Sequence, residues 1–244
     1  MSISKRQNDI LTILSENVYV SVNELSKLLY TSPSSIRRDL THLQNLGLAK
    51  RTHGGVSQPE QTEKVASFYK RAQKNVKEKR IIARKASALL KNGQSILLDS
   101  STTASFMIPY IALLDNPIVF TNYLETAISA IKEGICTHCI GGCSINGSVA
   151  LGGADTYRSL SDINVDIVFF SSQSLSKNGE ITDTTEEENY VMQIILKHAK
   201  KKVFLCDSTK FDTSALFLLT TLDKVDIAVF DKPFNELSTE ITIL

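Results

Sequence analysis

The chain has 244 residues with 27 Lys and Arg against 26 Asp and Glu, a length that suits one small and one medium domain. The formal charge of +1 hides an asymmetry: residues 1–91 hold 17 Lys and Arg against 7 Asp and Glu, residues 92–244 hold 10 against 19, and the two stretches carry +10 and −9. No apolar run approaches the ~18 residues of a membrane span, the start has no apolar leader segment, and four cysteines do not make a disulfide framework in a chain this long, so a cytoplasmic protein with a basic, phosphate-seeking part is expected.

Three helical patterns open the chain. Ile10, Leu11 and Leu14 mark the first; Val22, Leu25, Leu28 and Leu29 mark the second, with Ser21 as cap and Glu24 completing a capping box. In the third, the Ser32 hydroxyl caps the helix and Pro33 takes the first helical position, where a missing N–H costs nothing. Ile36, Leu40 and Leu43 fall on one stripe, which leaves Ser34, Ser35, Arg37, Arg38, Thr41 and His42 to face a duplex. The helix stops before Gly47, and Leu48 to Arg51 can pair with residues around Val56 across His53-Gly54-Gly55, since glycine tolerates positive φ. This pattern predicts a winged helix-turn-helix over residues 1–57. Its candidate DNA contacts are Ser32, Ser34, Ser35, Arg37, Arg38, Thr41 and His42 on the helix and Lys50, Arg51 and His53 on the wing. A carboxylate is repelled by phosphates, so Asp39 is expected to pair inside the protein with a neighbouring Arg. Helix-turn-helix proteins bind paired half-sites as symmetric dimers, which predicts at least a homodimer.

Periodicity fades after Ser57, and residues 58–75 read as a polar linker. From residue 76 to 244, a helix over Lys77 to Leu90 is followed by short apolar runs alternating with helical stretches: Ile96-Leu97-Leu98, Ile118-Val119-Phe120, Cys139-Ile140, Ile167 to Phe170, Val203-Phe204-Leu205 and Ile227 to Phe230. Strands buried on both faces read this way, which predicts a mostly parallel α/β sheet between helices. Most runs end in polar or glycine residues: Asp99 to Thr103, Thr121-Asn122, Gly141-Gly142, Ser171-Ser172 and Asp207 to Lys210. Ligands bind at strand carboxyl ends in such sheets. Ser101, Thr102 and Thr103, leading into a helix at Ala104, are expected to offer backbone N–H groups to an anion, and Lys210 a full charge. Cys136 and Cys139, with Cys143 beyond, do not make a zinc site, because strand residues three apart point to opposite faces; buried thiols on a strand are expected. No metal and no cofactor is assigned.

Ile36-Arg37-Arg38-Asp39-Leu40 with Arg51-Thr52-His53-Gly54-Gly55 resembles the winged helix-turn-helix of the DeoR family of bacterial sugar-metabolism regulators. The remainder is similar to that family's sensor domain, itself ribose-phosphate-isomerase-like, at Lys79, Ile82-Ala83, Asp99, Thr102-Thr103, Thr121-Asn122, Gly141-Gly142, Asp166, Gly179 and Asp207 to Phe211. The resemblance implies a transcriptional repressor of carbohydrate metabolism that leaves its double-stranded DNA operator when a phosphorylated sugar occupies Asp99, Thr102, Thr103, Asn122, Gly141, Gly142 and Lys210. Ser101 stands where the family usually has glycine, and Ser171 to Ser174 replace a glycine-containing loop; each serine either blocks a close backbone approach or supplies a hydroxyl contact. Glu186-Glu187-Glu188 suit the first turn of a helix reaching His198, while one of them, Glu180 or Asp183 is an alternative partner for sugar hydroxyls. Two other functions fit the same residues. One is a sugar-phosphate isomerase with an appended DNA-binding head, Lys210 and an acidic group such as Asp183 moving protons; the other is a body that only oligomerises the head.

Overall fold

A computed structural model describes the chain apart from residues 1–2, 18, 47, 53, 58–70 and 240, with the backbone alone of 15 and 16. It divides into two compact units, Met1–Lys70 and Arg71–Leu244.

In the first unit, α1 (Lys5–Glu16) starts at Ser4, whose hydroxyl accepts from the Gln7 N–H while the Gln7 side chain accepts from the Ser4 N–H. β1 (Tyr19–Ser21) leads into α2 (Val22–Leu28), where Ser21 and Glu24 make the same reciprocal box; each box satisfies two otherwise orphaned N–H groups. α3 (Pro33–Asn45) carries the Ser32 cap and Pro33 at its first turn. β2 (Lys50–Thr52) and β3 (Gly55–Ser57) form the wing, and β1 adds to it antiparallel in the order β1-β3-β2. β1 is too short to announce itself by alternation, and only its pairing with β3 defines it. Gly55 permits that pairing, because a Cβ there would lie 2.5 Å from the Val20 carbonyl oxygen. Ile36, Leu40 and Leu43 are fully buried against Ile10, Leu25 and Val56; truncating such a leucine to alanine costs about 2–5 kcal/mol. Asp39 is paired, but with Arg6 of α1 rather than an arginine near it in sequence. Asp39 shares the buried side of α3 with Ile36, Leu40 and Leu43, whereas Arg37 and Arg38 are exposed.

The second unit begins with a helical turn at 71–73, so residues 71–75, expected to end a linker, are structured parts of this unit. α4 (Val76–Ala86) is shorter than expected, tightening into a 3-10 turn at Ser87–Leu89, a common way for a helix to end. The elements that follow are β4 (Ser95–Leu98), the single turns α5 (Thr102–Ser105) and α6 (Ile108–Ile111), β5 (Ile118–Thr121), α7 (Leu124–Lys132), β6 (Cys136–Cys139), β7 (Cys143–Ser144), β8 (Leu151–Gly152), α8 (Ala154–Ser161), β9 (Ile167–Phe170), β10 (Ser174–Leu175), β11 (Glu180–Asp183), α9 (Glu186–Lys197), β12 (Lys202–Cys206), β13 (Phe217–Thr221) and β14 (Ile227–Phe230).

The six expected apolar runs lie in one sheet, β14-β12-β9-β4-β5-β6, with every neighbour parallel. Leu97 sits between Phe120 and Val168, and Ile82, Leu98, Val119, Phe169, Leu205 and Val229 close the core. The expected α/β architecture is therefore present. Chain direction across the sheet reverses between β4 and β9, and at such a switch point a crevice opens beyond the strands' carboxyl ends. A small antiparallel sheet, β10-β11-β13, and the β7-β8 pair were not foreseen; their strands are too short or too mixed to read as apolar runs.

β6 occupies Cys136–Cys139, earlier than the Cys139-Ile140 run suggested, and pairs only with β5. As an edge strand it exposes Cys136 and Cys139, and Cys143 is exposed too, which corrects the expectation of buried thiols; Cys206 on β12 is the buried one. Among the described residues no helix is long and apolar enough to cross a membrane.

Candidate functional site

On the head, the outer side of α3 is cationic. Arg37 and Arg38 are exposed, and neither forms an ion pair with a described residue. Ser32 is engaged in its own cap: its hydroxyl accepts from the Ser35 N–H at 3.3 Å and lies 3.0 Å from the hydroxyls of Ser34 and Ser35. The Thr41 hydroxyl donates to the Arg37 carbonyl at 2.9 Å and accepts from Arg51 Nη1 at 3.0 Å, tying β2 to α3. His42 is half-buried and Lys50 exposed; His53 lies outside the described residues. The head thus joins two free guanidinium groups on a helix to a wing whose arginine is held against that helix.

In the body, charged groups gather where β4, β9 and β12 end. The Asp99 carboxylate, at the end of β4, accepts from the Ser101 N–H at 3.0 Å, from the Ser101 hydroxyl and from the Ser171 N–H at 2.9 Å. It therefore bridges both sides of the switch point. Burial pushes its carboxyl up to about 6, against the pull of these hydrogen bonds and of Lys210. Lys210 follows β12; its ammonium donates to the Ser171 hydroxyl at 2.9 Å and stands 3.6 Å from Asp207 Oδ2. Lys79 lies on the buried stripe of α4 with Ile82, Ala83 and Ala86, and donates to the Thr102 hydroxyl at 3.0 Å and to the Arg71 carbonyl. Burial first, then the like charge of Lys210, pulls Lys79 down to about 8.

Asp207 Oδ1 accepts from the Asn75 side chain at 3.1 Å and from Thr209 through its N–H and its hydroxyl. Its buried Oδ2 has no hydrogen-bond partner among the described residues, only the Lys210 ion pair. Glu188, on α9, is pushed up by burial and by Asp183. The Tyr123 phenol is pushed up by burial and held back by the positive charge of Arg71.

The structure brings Asp99, Ser101, Thr102, Thr103 and Lys210 together, and alters what several expected residues do. Ser101 is not a free anion donor: its N–H serves Asp99 and its hydroxyl accepts from the Ala104 N–H at 3.1 Å. The helix behind it is one turn, so it offers the first-turn N–H groups of Thr102 and Thr103 but little dipole. Asn122 spends its amide on the Leu151 carbonyl at 2.8 Å. Gly142 is a packing glycine, since a Cβ there would lie 2.0 Å from Thr156 Oγ1 and 2.5 Å from the Gly152 carbonyl; Gly141 accepts from the Thr156 hydroxyl at 2.6 Å. Asp183 accepts from the Gln173 and Thr184 N–H groups at 3.1 and 2.7 Å, a loop-holding role.

Arg71 and Asn75 were missing from the expected site; Lys79 was noted only as a family-matching position, Asp207 as a strand-end residue without a role of its own, and Glu188 only within the acidic run offered as an alternative partner for hydroxyls. One signal was present: Lys79 interrupts an otherwise apolar helical stripe, and a charge in such a stripe is rarely left buried without a partner.

A charged strand-end crevice in one unit and a winged helix-turn-helix in the other define a ligand-responsive, DNA-binding transcriptional regulator. The model of the DeoR-like helix-turn-helix domain matches residues 6–62, and that of the DeoR C terminal sensor domain matches residues 74–232: the chain belongs to the DeoR family. It is 32% identical to the HTH-type transcriptional regulator GolR of Listeria innocua over 95% of this chain and 92% of that protein. It is 28% identical to the HTH-type transcriptional repressor GlcR of Bacillus subtilis over 93% and 88%, and 25% identical to the glycerol-3-phosphate regulon repressor of Escherichia coli over 96% and 92%. Ribose 5-phosphate isomerase A from Methanocaldococcus jannaschii superposes at a TM-score of 0.43 and 19% identity, over 56% of this chain and 55% of that one.

Proposed function

We propose that the chain is a repressor of a carbohydrate-metabolism operon, and that a phosphorylated sugar in the strand-end crevice makes it leave its operator. The observation that carries this is the gathering of two buried or half-buried ammonium groups, Lys79 and Lys210, with the buried carboxylates Asp99 and Asp207. The ammonium groups suit a phosphate through charge-assisted hydrogen bonds. The carboxylates suit hydroxyls, and Asp207 Oδ2 is a buried acceptor lacking a donor, which is costly to leave unfilled. The names of GlcR and the glycerol-3-phosphate repressor lend support. On the head, Ser34, Ser35, Arg37 and Arg38 meet the duplex, Lys50 reaches its phosphates, and two copies read paired half-sites. We read the body as working by binding rather than catalysis; Asp183, one acidic group an isomerase could use, accepts from the Gln173 and Thr184 N–H groups of its own loop.

The test is fluorescence anisotropy on a duplex selected from a random-sequence pool, titrated with aldose and ketose phosphates, glycerol 3-phosphate and inorganic phosphate. Salt-sensitive binding reversed by at least one sugar phosphate is expected. Binding that no phosphorylated compound alters would remove the effector, and ketose–aldose turnover by the same protein would replace binding with catalysis.

A further inference from the structure

We propose that residues 71–75 are a plug in the strand-end crevice that the ligand displaces: a phosphomonoester with free hydroxyls draws the Lys79 ammonium off the Arg71 carbonyl and the Asp207 carboxylate off the Asn75 amide. The inference rests on the crevice being a phosphomonoester site and adds how occupancy is passed on.

Two fastenings hold this segment, and both use groups that a ligand wants. Lys79 divides its donors between the Thr102 hydroxyl and the Arg71 carbonyl, a neutral acceptor that a phosphate dianion outcompetes through charge-assisted bonds. Asn75 places its side-chain amide on Asp207 Oδ1 at 3.1 Å and on the Thr209 hydroxyl at 2.9 Å. Asp207 is 1% exposed, and its Oδ2 has no hydrogen-bond donor among the described residues; a ligand hydroxyl donating there shares the carboxylate's charge with the bonds on Oδ1 and so weakens the hold on Asn75. Asn75 adopts a left-handed φ of 54° immediately before α4 and makes no cap for that helix with its side chain. Its amide therefore serves Asp207 and Thr209 rather than the helix end, so the side chain's hold on the segment is tertiary rather than local. Residues 71–75 open the second unit, directly after the boundary at Lys70, and so are the part of that unit nearest to the head along the chain.

Asn75→Gly tests this, because glycine keeps the left-handed backbone and removes the amide. In the full-length protein, glycerol 3-phosphate is titrated calorimetrically, with inorganic phosphate as the probe lacking hydroxyls. The variant is expected to bind glycerol 3-phosphate about 5-fold tighter than wild type, the effect of one lost competing hydrogen bond. A variant that melts like wild type yet binds equally or more weakly overturns the plug. Hydrogen exchange on wild type gives an answer that needs no variant: saturation with glycerol 3-phosphate should speed exchange at residues 72–76 while slowing it at Thr102 and Thr103, and slower or unchanged exchange at 72–76 overturns the plug. A wild type that binds neither probe overturns the phosphomonoester site itself, an outcome distinct from the failure of the plug alone.

Discussion

Arg6 Nε lies 2.5 Å from Asp39 Oδ2, and Gln7 Nε2 lies 3.1 Å from Asp39 Oδ1. Two adjacent residues of α1 thus satisfy one carboxylate on α3, on the side away from Arg37 and Arg38. The contact orients α3 and keeps a negative charge off its exposed face, which carries Arg37 and Arg38. The Arg6 side chain is 43% exposed, so the charge attraction itself is well screened; the larger loss on removing Asp39 is the Gln7 amide left inside without an acceptor. Asp39→Ala is expected to destabilise the head by about 1–2 kcal/mol, read from urea unfolding of the full chain. A change within error would make the pair a bystander.

Arg37→Ala and Arg38→Ala are expected to leave the fold untouched, since both side chains are exposed, and to weaken operator binding. A residue on a phosphate lowers the salt slope by about 1 and weakens all sequences alike, whereas one on a base edge costs about 1–3 kcal/mol at one position and relaxes the preference there. Anisotropy at several salt concentrations against mutated operators sorts the two. Undiminished affinity in both variants would move the interface off α3.

What the sequence revealed is what local chemistry dictates. Ser21, Ser32 and Pro33 mark helix starts because orphaned N–H groups demand them, and five of the six sheet strands stand out because strands covered on both faces are largely apolar. What it concealed depends on distant partners. Arg6 and Asp39 are 33 residues apart, β1 is defined by β3, and Cys136 is exposed because β6 has one neighbour rather than two. The crevice was half legible. Strand-end residues Asp99 and Lys210 followed from topology, but Arg71 and Asn75 sit in a polar stretch whose composition is that of a linker, and only Asp207 and Lys79, far along the chain or around a helix, give them a place.

Gly55→Ala should cost the wing. The added Cβ meets backbone and the Tyr19 ring at about 2.5 Å, and a carbonyl paired in a sheet cannot retreat as a side-chain tip does. Loss of the β1–β3 pairing, seen as rapid amide exchange at Val20 and Val56, and at least tenfold weaker operator binding are expected. Wild-type exchange at both positions would show that the sheet accommodates the methyl group.

Two buried charges in the crevice give opposite pH signatures. Asp99 is raised to about 6, so between pH ~4 and ~6 the folded state binds more protons than the unfolded state and stability falls as pH rises. Lys79 is lowered to about 8, so between pH ~8 and ~10.5 the unfolded state binds more protons and stability climbs with pH. An anionic ligand needs Lys79 charged, and its affinity should be flat from pH 6.5 to 7.5 and then decline above about 8. Calorimetric titration across that range checks it; affinity constant to pH 9.5 would place the anion away from Lys79.

Lys79→Met separates fold from function. Lys79 is 4% exposed, and its lowering from 10.5 to about 8 by burial and by Lys210 corresponds to a cost of roughly 3 kcal/mol to the charged form at neutral pH. Methionine has a similar length and no charge, which removes that penalty. It also removes the bonds to Thr102 and to the Arg71 carbonyl, each worth about 1 kcal/mol. The variant is therefore expected to melt no lower than wild type at pH 7 and to have lost its response to sugar phosphates. That combination marks a lysine kept at a cost to stability for the sake of its charge. A variant that unfolds early yet still releases DNA when the sugar phosphate is added would make Lys79 a packing residue and leave Lys210 to hold the anion.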